Sequence, residues 1–392
     1  MPPRGATDDA TVPRLRPLMV GMGWPSRVPG GLNRYVADLH AAFLALGAAP
    51  VTAVFDADPF VAGLLDAGSE DAPLPLRVAR MTCVVGRGAR AARPDVLVSH
   101  FALYGLLPSL DPWRGRRRRL VVHFHGPWAD ESASTRGARS ASRLKSGLEE
   151  AVYRRAAAVV VLSHEFAALV VQRYGVRPER VHVVAPGVDL QRFRPLDAAD
   201  RAQARARLGI SDDTHVVLTV RRLVARTGVD VLLDAWAALP PCRDDGSALV
   251  VVAGDGPDRA ALERRARDGG IGNVRFVGRV SEADLLLWNQ IADVAVVPSL
   301  HLEGFGLVVL EALACGTPVL ASALGGMGEV LPDLDTSLVV PAGDVEALRD
   351  RLLAAREGQL PDRESCRNFS ARFAWPTVAE RLLDLYAPVP VP

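Results

Sequence analysis

The chain has 392 residues, which at roughly 100 to 200 residues per domain predicts two domains. Apolar residues make up 49% of the chain, so there is enough material for two cores and extensive disorder is not expected. The net charge of +1 argues against nucleic-acid binding by the whole molecule. Residues 1–190 carry 24 Lys and Arg against 17 Asp and Glu, whereas the remainder carries 22 against 28. The predicted domains therefore have opposite charges.

The first residues and the cysteines indicate the compartment. Residues 1–16 are expected to form a flexible, polar leader, and its first nine residues are acidic where a signal peptide would be apolar. No run approaches the roughly 18 apolar residues of a membrane-spanning helix. Four cysteines (Cys83, Cys242, Cys315, Cys366) are too widely spaced for a zinc site or a redox pair. We therefore expect a cytoplasmic protein with reduced cysteines. Any contact with a membrane is expected to be peripheral.

Short apolar runs alternate with helical segments in the first half of the chain. Pro17–Gly23 predicts a strand that ends in a glycine loop, and an amphipathic helix follows from Leu32 to Leu46. Further strands are predicted at Pro50–Phe55, Asp95–Ser99, Leu120–His125 and Ala156–Ser163, with a helix at His164–Tyr174. This alternation is typical of a parallel, doubly wound sheet.

A second series of the same kind begins near residue 190. The predicted strands are Val216–Val220, Leu249–Gly254, Val274–Val277, Val294–Pro298, Pro318–Ala321 and Ser337–Val340, and the predicted helices are Val229–Leu239, Arg259–Asp268, Leu307–Ala314 and Val345–Ala355. The fold class is therefore α/β, with Rossmann-like domains at 17–190 and 191–375 facing each other across a cleft. Residues 376–392, with a helix at Thr377–Tyr386, are predicted to cross back to the first domain.

The strongest chemical signal is a pair of glutamates eight residues apart. Glu303 lies in a loop after a predicted strand, and Glu311 lies in the helix that this loop opens. Between them, Gly304 and Gly306 expose backbone N–H groups at a helix N-terminus, which favours an anion such as a diphosphate. A carboxylate on that helix suits a ribose diol. The pattern predicts a nucleotide-diphosphate ligand with a hydroxyl-rich group.

The region from Ala292 to Glu329 resembles the signature of the family 4 retaining glycosyltransferases, which have the two-domain GT-B architecture. Supporting segments occur in the family's order from about residue 18 to 387. They are Pro29-Gly-Gly-Leu-Asn33, His123-Phe-His-Gly126, Val184-Ala-Pro-Gly-Val-Asp189, Val220-Arg-Arg-Leu223, Gly254-Asp-Gly-Pro257, Phe276-Val-Gly278 and Val339-Val-Pro-Ala-Gly-Asp344.

The resemblance implies a role for each matching position. Glu311 would hold the nucleotide ribose, and Glu303 would lie beside the donor sugar. Arg222 would pair with the diphosphate, for which a planar guanidinium is well suited. His125 would face the transferred sugar. The remaining positions would approach the donor through their backbone, namely Gly30 and Gly31 in the first domain and Gly304, Phe305, Gly306 and Leu307 in the second.

One position departs from the family pattern. Many members have a lysine five positions after the arginine and just before a glycine, but here Thr227 precedes Gly228. Either the adjacent Arg226 supplies the second positive charge, or Arg222 alone stabilises the diphosphate.

By this resemblance the protein is expected to be a metal-independent, retaining hexosyltransferase without a cofactor. It would move a sugar from a nucleotide-diphosphate donor, of which a UDP-sugar is favoured, to a hydroxyl of a glycolipid, a polysaccharide precursor or a secondary metabolite. The diphosphate itself would take the acceptor's proton in a front-face mechanism. The alternatives are a nucleotide-sugar 2-epimerase, a sugar phosphorylase or a silent sugar-nucleotide binding protein.

Weaker signals have structural interpretations. Asp56-Ala-Asp58 resembles a metal-binding motif but is interpreted as a loop, and Gly21-Met-Gly23 lacks the third glycine of a dinucleotide fingerprint. Cys315 is expected to be a core thiol. Three aromatic residues (Trp24, Tyr104, Trp128) are either an acceptor platform or core. The run Arg114–Arg119 is either a solvated turn or a patch for peripheral contact with anionic lipids.

Overall fold

The structure is a computed structural model that describes residues 15–110, 119–128, 139–239 and 247–387. Its contacts divide the chain into two compact units. Unit 1 comprises residues 1–160, 173–182 and 379–392, and unit 2 comprises residues 161–172 and 183–378. Each unit is built around one parallel sheet.

The first sheet has seven strands in the order β3-β2-β1-β4-β5-β6-β7. The strands are β1 Pro17–Gly23, β2 Val51–Phe55, β3 Leu64–Asp66, β4 Val96–Ser99, β5 Arg119–Phe124, β6 Ala158–Val161 and β7 Val181–Val183. The helices of this half are α1 Gly31–Ala45, α2 Leu74–Ala92, α3 Ala102–Leu110, α4 Arg139–Arg155 and α5 His164–Tyr174. Because β1 pairs in parallel with both β2 and β4, the direction of strand succession reverses beside β1, as in a doubly wound sheet.

The second sheet has six strands in the order β10-β9-β8-β11-β12-β13. The strands are β8 His215–Val220, β9 Ala248–Ala253, β10 Val274–Gly278, β11 Val294–Val297, β12 Val319–Ser322 and β13 Val339–Val340. The helices are α6 Ala198–Arg207, α7 Val229–Ala237, α8 Arg259–Asp268, α9 Glu282–Ile291, α10 Leu307–Ala314, α11 Gly325–Val330, α12 Val345–Arg356, α13 Arg363–Ser370 and α14 Trp375–Tyr386. The prediction of two parallel, doubly wound sheets is confirmed.

The central strands form because their β-branched residues are buried on both faces of the sheet. All four residues of β11 and of β12 are buried, and those of β6 are buried as well. Several helices of unit 2 begin at an aspartate or serine whose side chain accepts a hydrogen bond from a backbone N–H of the first turn. These are Asp197, Ser281, Asp344 and Asp362.

Arginines hold loops of unit 2 together by donating to backbone carbonyls. Arg205 is 1% exposed, and its guanidinium donates to the carbonyls of Ser211, Asp212 and Thr214. It also pairs with Asp293 at 2.7 Å. A buried charge is stable only when it is paired and hydrogen-bonded, and here both conditions hold. Part of the chain's high arginine content is therefore structural.

The final helix is shared between the units. α14 begins at Trp375 with Pro376 in its first turn, where the missing proline N–H costs nothing. Its residues from Ala379 onward belong to unit 1. There the Tyr386 hydroxyl lies 2.5 Å from His123 Nε2, and Arg119 Nη1 donates to the carbonyl of Ala387 at 2.6 Å.

We predict that Gly228→Ala destabilises the protein more than Gly209→Ala. Both glycines have a φ of 66°. A Cβ at position 228 would lie 1.9 Å from the Pro298 carbonyl oxygen, whereas a Cβ at 209 would meet nothing within 4 Å. We expect Gly209→Ala to cost about 1–2 kcal/mol of unfolding free energy for the left-handed backbone. Gly228→Ala should cost roughly 1–3 kcal/mol more for the clash.

Urea denaturation of the two variants and the wild type measures both costs. Equal unfolding free energies of the two variants would show that the close approach of Gly228 to Pro298 is wrong.

Candidate functional site

The predicted donor residues of unit 2 lie in two neighbouring loops. One loop follows β8 and contains Arg222 and Arg226, and the other follows β11 and contains Glu303. β8 and β11 pair in parallel, with Val294 opposite Val217 and Ala295 opposite Leu218. Because the carboxyl ends of parallel strands meet at one edge of the sheet, the two loops lie side by side. The carbonyl of Arg226 accepts the N–H of Leu300 at 2.8 Å and so joins them.

The β11 loop is held in a tight conformation on the way to α10. Leu302 has a φ of 55°, which is uncommon for a residue with a side chain, and Gly306 has a φ of 75° at the start of the helix. The carbonyl of Gly304 accepts the N–H of Gly326 at 2.9 Å. Strain of this kind persists where the surrounding contacts fix the backbone, and it is common at ligand-binding loops.

Phe305 fixes this loop from the core side. Its side chain is 1% exposed and packs against Phe373, with ring centroids 5.9 Å apart. A Cβ on Gly326 would lie 2.1 Å from the Phe305 ring, so the two chains touch closely. Of the predicted donor positions, Phe305 therefore offers a ligand only its backbone. Gly304, Gly306 and Leu307 flank it, and Leu307 is the first residue of α10.

Glu303 sits in a cluster of positive charge. Its Oε2 accepts hydrogen bonds from Arg221 Nη2 at 2.6 Å and from Ser299 Oγ at 2.9 Å. Burial by itself raises the pKa of the Glu303 carboxyl, but the charge and hydrogen bond of Arg221, the Ser299 hydroxyl and the charge of Arg226 outweigh it. The pKa is therefore lowered from its ordinary value, and Glu303 is a carboxylate at neutral pH.

The other charged residues of this site differ in exposure. Arg222 is exposed, and Glu311 on α10 is only 4% exposed. Arg226 is half-buried, and its Nη1 donates to the Leu302 carbonyl at 3.3 Å. Arg226 thus reaches the β11 loop. Thr227 is buried, and its hydroxyl lies 2.9 Å and 2.7 Å from the carbonyls of Arg222 and Val224. Thr227 therefore stabilises the loop after β8, to which it belongs.

The predicted residues of unit 1 lie at the ends of β1 and β5. Gly30 is the residue before α1, Gly31 is the first residue of that helix, and both are exposed. Asn33 Oδ1 accepts the N–H of Gly23, and Asn33 Nδ2 donates to the Val28 carbonyl. Asn33 therefore ties the glycine loop to the end of β1. A Cβ on Gly30 would meet only Asn33, at 3.9 Å, so packing within the chain does not require glycine there.

His125 is half-buried and lies beside a buried group of histidines and tyrosines. It follows β5, and its Nε2 lies 3.3 Å from Nδ1 of His100, which follows β4. The neighbouring His123 has Nδ1 3.3 Å from the Tyr35 hydroxyl and Nε2 2.5 Å from that of Tyr386. Burial lowers the pKa of His125 to about 3 and lowers those of His100 and His123 well below the ordinary value. All three imidazoles are therefore neutral at physiological pH.

This group forms a hydrogen-bond network. The candidate ligand nitrogens of His100, His123 and His125 lie within 4.8 Å of one another. Both nitrogens of His123 are engaged by tyrosine hydroxyls, and the rings of His123 and His125 are only 19° from parallel. The network therefore already engages both nitrogens of His123.

Several weaker sequence signals are settled by burial and contacts. Asp56 and Asp58 accept hydrogen bonds from Glu70 N and Phe60 N, so this segment is a loop, as interpreted. Cys315 is fully buried, which raises the pKa of its thiol to about 12, and it is a core residue. Residues 114–118 of the arginine run lie outside the described residues.

The three aromatic residues considered for an acceptor platform divide into core and partly exposed positions. Trp24 and Tyr104 are 7% and 3% exposed and belong to the core. Trp128 is half-buried, with its ring 5.4 Å from that of Phe101 and 4.6 Å from Lys145 Nζ. Only Trp128 therefore presents part of its ring to solvent.

The sequence analysis missed Arg221 and Ser299. Arg221 directly precedes the arginine that the motif marks, and Ser299 is one of many serines that follow a strand. The contact between them needs the pairing of β8 with β11, which no local pattern specifies. A second arginine beside a motif position is the one signal that could have indicated this contact.

The structure has two Rossmann-like units, and in the second unit charged loops lie at the carboxyl ends of β8 and β11, which is where open α/β sheets commonly bind ligands. The family profile described as "Glycosyl transferases group 1" matches residues 200–372. The profile described as "Glycosyltransferase Family 4" matches residues 29–192.

Similar proteins and solved structures agree with the profiles. A D-inositol 3-phosphate glycosyltransferase of Saccharomonospora viridis is 36% identical over 340 residues, which is 81% of this chain and 76% of the relative. One from Mycobacterium bovis is 33% identical over 81% of this chain and 67% of the relative. Sucrose-phosphate synthase of Thermosynechococcus elongatus has a TM-score of 0.74 at 24% identity, over 95% of this chain and 98% of that one. Anabaena HepE in complex with UDP-glucose has a TM-score of 0.74 at 21% identity, over 95% and 99%.

The chain therefore belongs to the family 4, group 1 glycosyltransferases and has the two-domain GT-B fold. It is a glycosyltransferase with a nucleotide-sugar donor. In the part of the chain that the structure describes, no helix is both long and apolar enough to cross a bilayer.

We predict that His100, His123 and His125 do not titrate between pH 5 and 8. Burial is the main cause of each lowered pKa, so the imidazoles stay neutral through this range. Long-range nitrogen–proton NMR of protein labelled at histidine reports the protonation of each ring. A titration midpoint between pH 5 and 8 for any of the three, assigned by His→Asn variants, would contradict the network.

Proposed function

We propose that the protein transfers a hexosyl group from a UDP-sugar to a hydroxyl acceptor with retention of anomeric configuration, without a metal ion or a resident cofactor. The observation that carries this proposal is the charge arrangement at the ends of β8 and β11. Arg222 and Arg226 lie on one loop and Glu303 on the other, with Glu311 on the helix that follows. This set offers cations for a diphosphate and carboxylates for hydroxyl groups.

In this proposal Glu311 accepts hydrogen bonds from the ribose hydroxyls, and Arg222 binds the diphosphate. Arg222 is exposed, so its planar guanidinium can meet phosphate oxygens without first breaking a buried contact. The N-terminal N–H groups of α10 add donors, because the first turn of a helix leaves them without partners in the helix. UDP is favoured among the nucleotides, since HepE, one of the similar structures, was solved with UDP-glucose.

We assign to Arg226 the second positive charge, beside that of Arg222, that binds the diphosphate. Thr227 occupies the position where a lysine is typical, but its buried hydroxyl is engaged by the loop's own carbonyls. Arg226 is close enough to Glu303 to lower the pKa of that carboxyl and lies on the same loop as Arg222. Arg226, one position before Thr227, therefore supplies the positive charge that the lysine provides in many family members.

Negative charge grows on the leaving diphosphate as the bond to the anomeric carbon breaks. Arg222, Arg226 and the α10 N–H groups stabilise that charge more in the transition state than in the ground state. The diphosphate takes the acceptor's proton on the same face. His125 is neutral, so it contributes a hydrogen bond to the sugar rather than a charge. Gly30 and Gly31 let the backbone of unit 1 approach the diphosphate closely.

For the acceptor we propose a cyclitol, one example of the secondary metabolites that the sequence leaves open. The support is that the similar proteins from Saccharomonospora viridis and Mycobacterium bovis are D-inositol 3-phosphate glycosyltransferases. Location in the cytoplasm and contact with a membrane from the side are also part of the proposal. The support is that Phe60 is 95% exposed, and that Arg80, Arg87 and Arg90 are exposed on α2, in the part of the chain with an excess of basic residues.

We predict that one UDP-sugar raises the melting temperature and that nucleotide release requires an acceptor. The test is thermal shift with UDP-, GDP-, ADP- and TDP-sugars, followed by nucleotide release with myo-inositol, inositol 3-phosphate or a simple sugar as acceptor. Proton NMR of the product determines its anomeric configuration. The rate of transfer in the presence of EDTA shows whether a metal ion is required.

The rival functions predict different outcomes of this test. Interconversion of nucleotide sugars without acceptor indicates an epimerase, and release of sugar phosphate with inorganic phosphate indicates a phosphorylase. Binding without turnover indicates a silent binding protein. Inversion at the anomeric carbon would contradict retention. Loss of activity in EDTA would contradict metal independence.

We predict that Glu311→Gln raises the Kd for UDP about tenfold or more. The exchange keeps the size of a side chain that is 4% exposed but removes the charge that strengthens hydrogen bonds to the ribose. Isothermal titration calorimetry measures the affinity. Glu346→Gln, on an exposed position of α12, is the matched control and should bind UDP normally. An unchanged Kd in folded Glu311→Gln protein would disprove the ribose assignment.

A further inference from the structure

Arg221 is the most buried of the cations around the donor loop. Its side chain is 8% exposed, whereas the next residue, Arg222, is exposed to solvent. The backbone of Arg221 is fixed, because its N–H donates to the Ala253 carbonyl at 2.9 Å. A Cβ at Gly254 would lie 1.8 Å from the Arg221 carbonyl oxygen, so the neighbouring loop packs directly on it. Arg221 therefore extends from a rigid strand end.

The guanidinium of Arg221 connects the two loops through a single nitrogen. Nη2 donates to Glu303 Oε2 at 2.6 Å and to Ser299 Oγ at 2.7 Å. Ser299 Oγ is in turn 2.9 Å from the same Oε2. Both hydrogen bonds reach one oxygen of the carboxylate, and within the described part of the chain Oε1 has no such bond. Oε1 is therefore the oxygen that can accept a hydroxyl of a ligand.

Arg221 also decides the charge of Glu303. Glu303 is 12% exposed at its side chain, and burial of this kind favours the protonated, neutral form. The ion pair with Arg221 reverses that preference, with smaller help from Ser299 and Arg226. A carboxyl that stays ionised can accept a hydrogen bond but cannot donate one.

We propose that Arg221 is a positioning residue that holds Glu303 ionised and turns its Oε1 toward the donor sugar, while Arg221 itself makes no contact with the diphosphate. This inference rests on the proposed function, because it takes a sugar hydroxyl as the partner of Glu303. It separates two adjacent arginines by role. Arg222 is exposed and binds the ligand, whereas Arg221 is buried and acts through Glu303.

A double-mutant cycle tests the proposal. The variants are Arg221→Met, Glu303→Gln and the double variant. For each, kcat/KM is measured with the nucleotide sugar that the thermal-shift test identifies as the donor. We expect Arg221→Met to lower kcat/KM by roughly 10- to 100-fold, the range for loss of a hydrogen bond to a charged group. In the Glu303→Gln background the same change should alter kcat/KM by less than about threefold, because the carboxylate through which Arg221 acts is gone.

The control is Arg265→Met. Arg265 forms an exposed ion pair with Asp234 at 2.5 Å in the same unit, and its loss should leave kcat/KM unchanged. Equal losses from Arg221→Met with and without Glu303 would overturn the proposal, since they would mean that Arg221 binds the ligand directly. Ser299→Ala removes the second hydrogen bond to Oε2 and should lower kcat/KM in the same direction by a smaller factor. Arg221→Lys should restore part of the loss.

The pH dependence separates positioning from a merely structural role. In the wild type the pKa of Glu303 is lowered, so donor affinity should be constant from pH 8 down to about pH 5. Without Arg221, burial dominates and raises that pKa, so affinity in Arg221→Met should fall as the pH drops through 7 toward 5. A profile that coincides with the wild type would overturn the proposal.

A measurement without any donor distinguishes failure of this inference from failure of the proposed function. In Arg221→Met the folded state binds a proton at Glu303 more tightly than the unfolded state does. Its free energy of unfolding, relative to the double variant, should therefore rise as the pH is lowered from 8 to 5. If the wild type binds no nucleotide sugar but this rise occurs, the proposed function fails and the ion pair stands. If the rise does not occur, Arg221 does not control Glu303.

Discussion

The pairing of β8 with β11 is the constraint on which the proposed donor site depends. It brings together two loops that are about 80 residues apart in the chain, one rich in arginine and the other carrying Glu303. The approach is tight enough that Gly228 cannot hold a Cβ beside Pro298, and Arg221 reaches Glu303 at 2.6 Å. β11 is apolar and fully buried, and β8 is buried except at its two end residues, so the two strands supply a rigid edge on which the charges are arranged.

Most of the sheet could be predicted because strands buried on both faces are apolar runs, which need no tertiary information. β1 and α8 begin and end where the sequence indicates, and β11 differs by one residue. Elements that lack such a run were not predicted. β3 is three residues long, and α6 has only two buried residues, so neither carries a periodic apolar pattern.

Candidate site residues could be recognised from the sequence where they lie within one motif, and they were missed where their contacts depend on tertiary structure. Glu303 and Glu311 are recognisable from their spacing around a glycine loop. Arg221 has no distinguishing feature until β8 and β11 are paired. The buried network of His123 with Tyr35 and Tyr386 likewise joins α1, β5 and the last helix, which are distant in the chain. Such contacts are set by the fold as a whole.

We propose that unit 2 binds the nucleotide through the loops after β8 and β11. Hydrogen exchange with and without saturating UDP tests this binding. The account predicts slower exchange in peptides covering 221–228 and 299–311, because the ligand takes up their backbone N–H groups and orders the loops. Peptides of α6, which packs at the opposite, amino end of β8 where Arg205 donates to the Thr214 carbonyl, should not change. Unchanged exchange in both loops under conditions where UDP is bound would contradict the account.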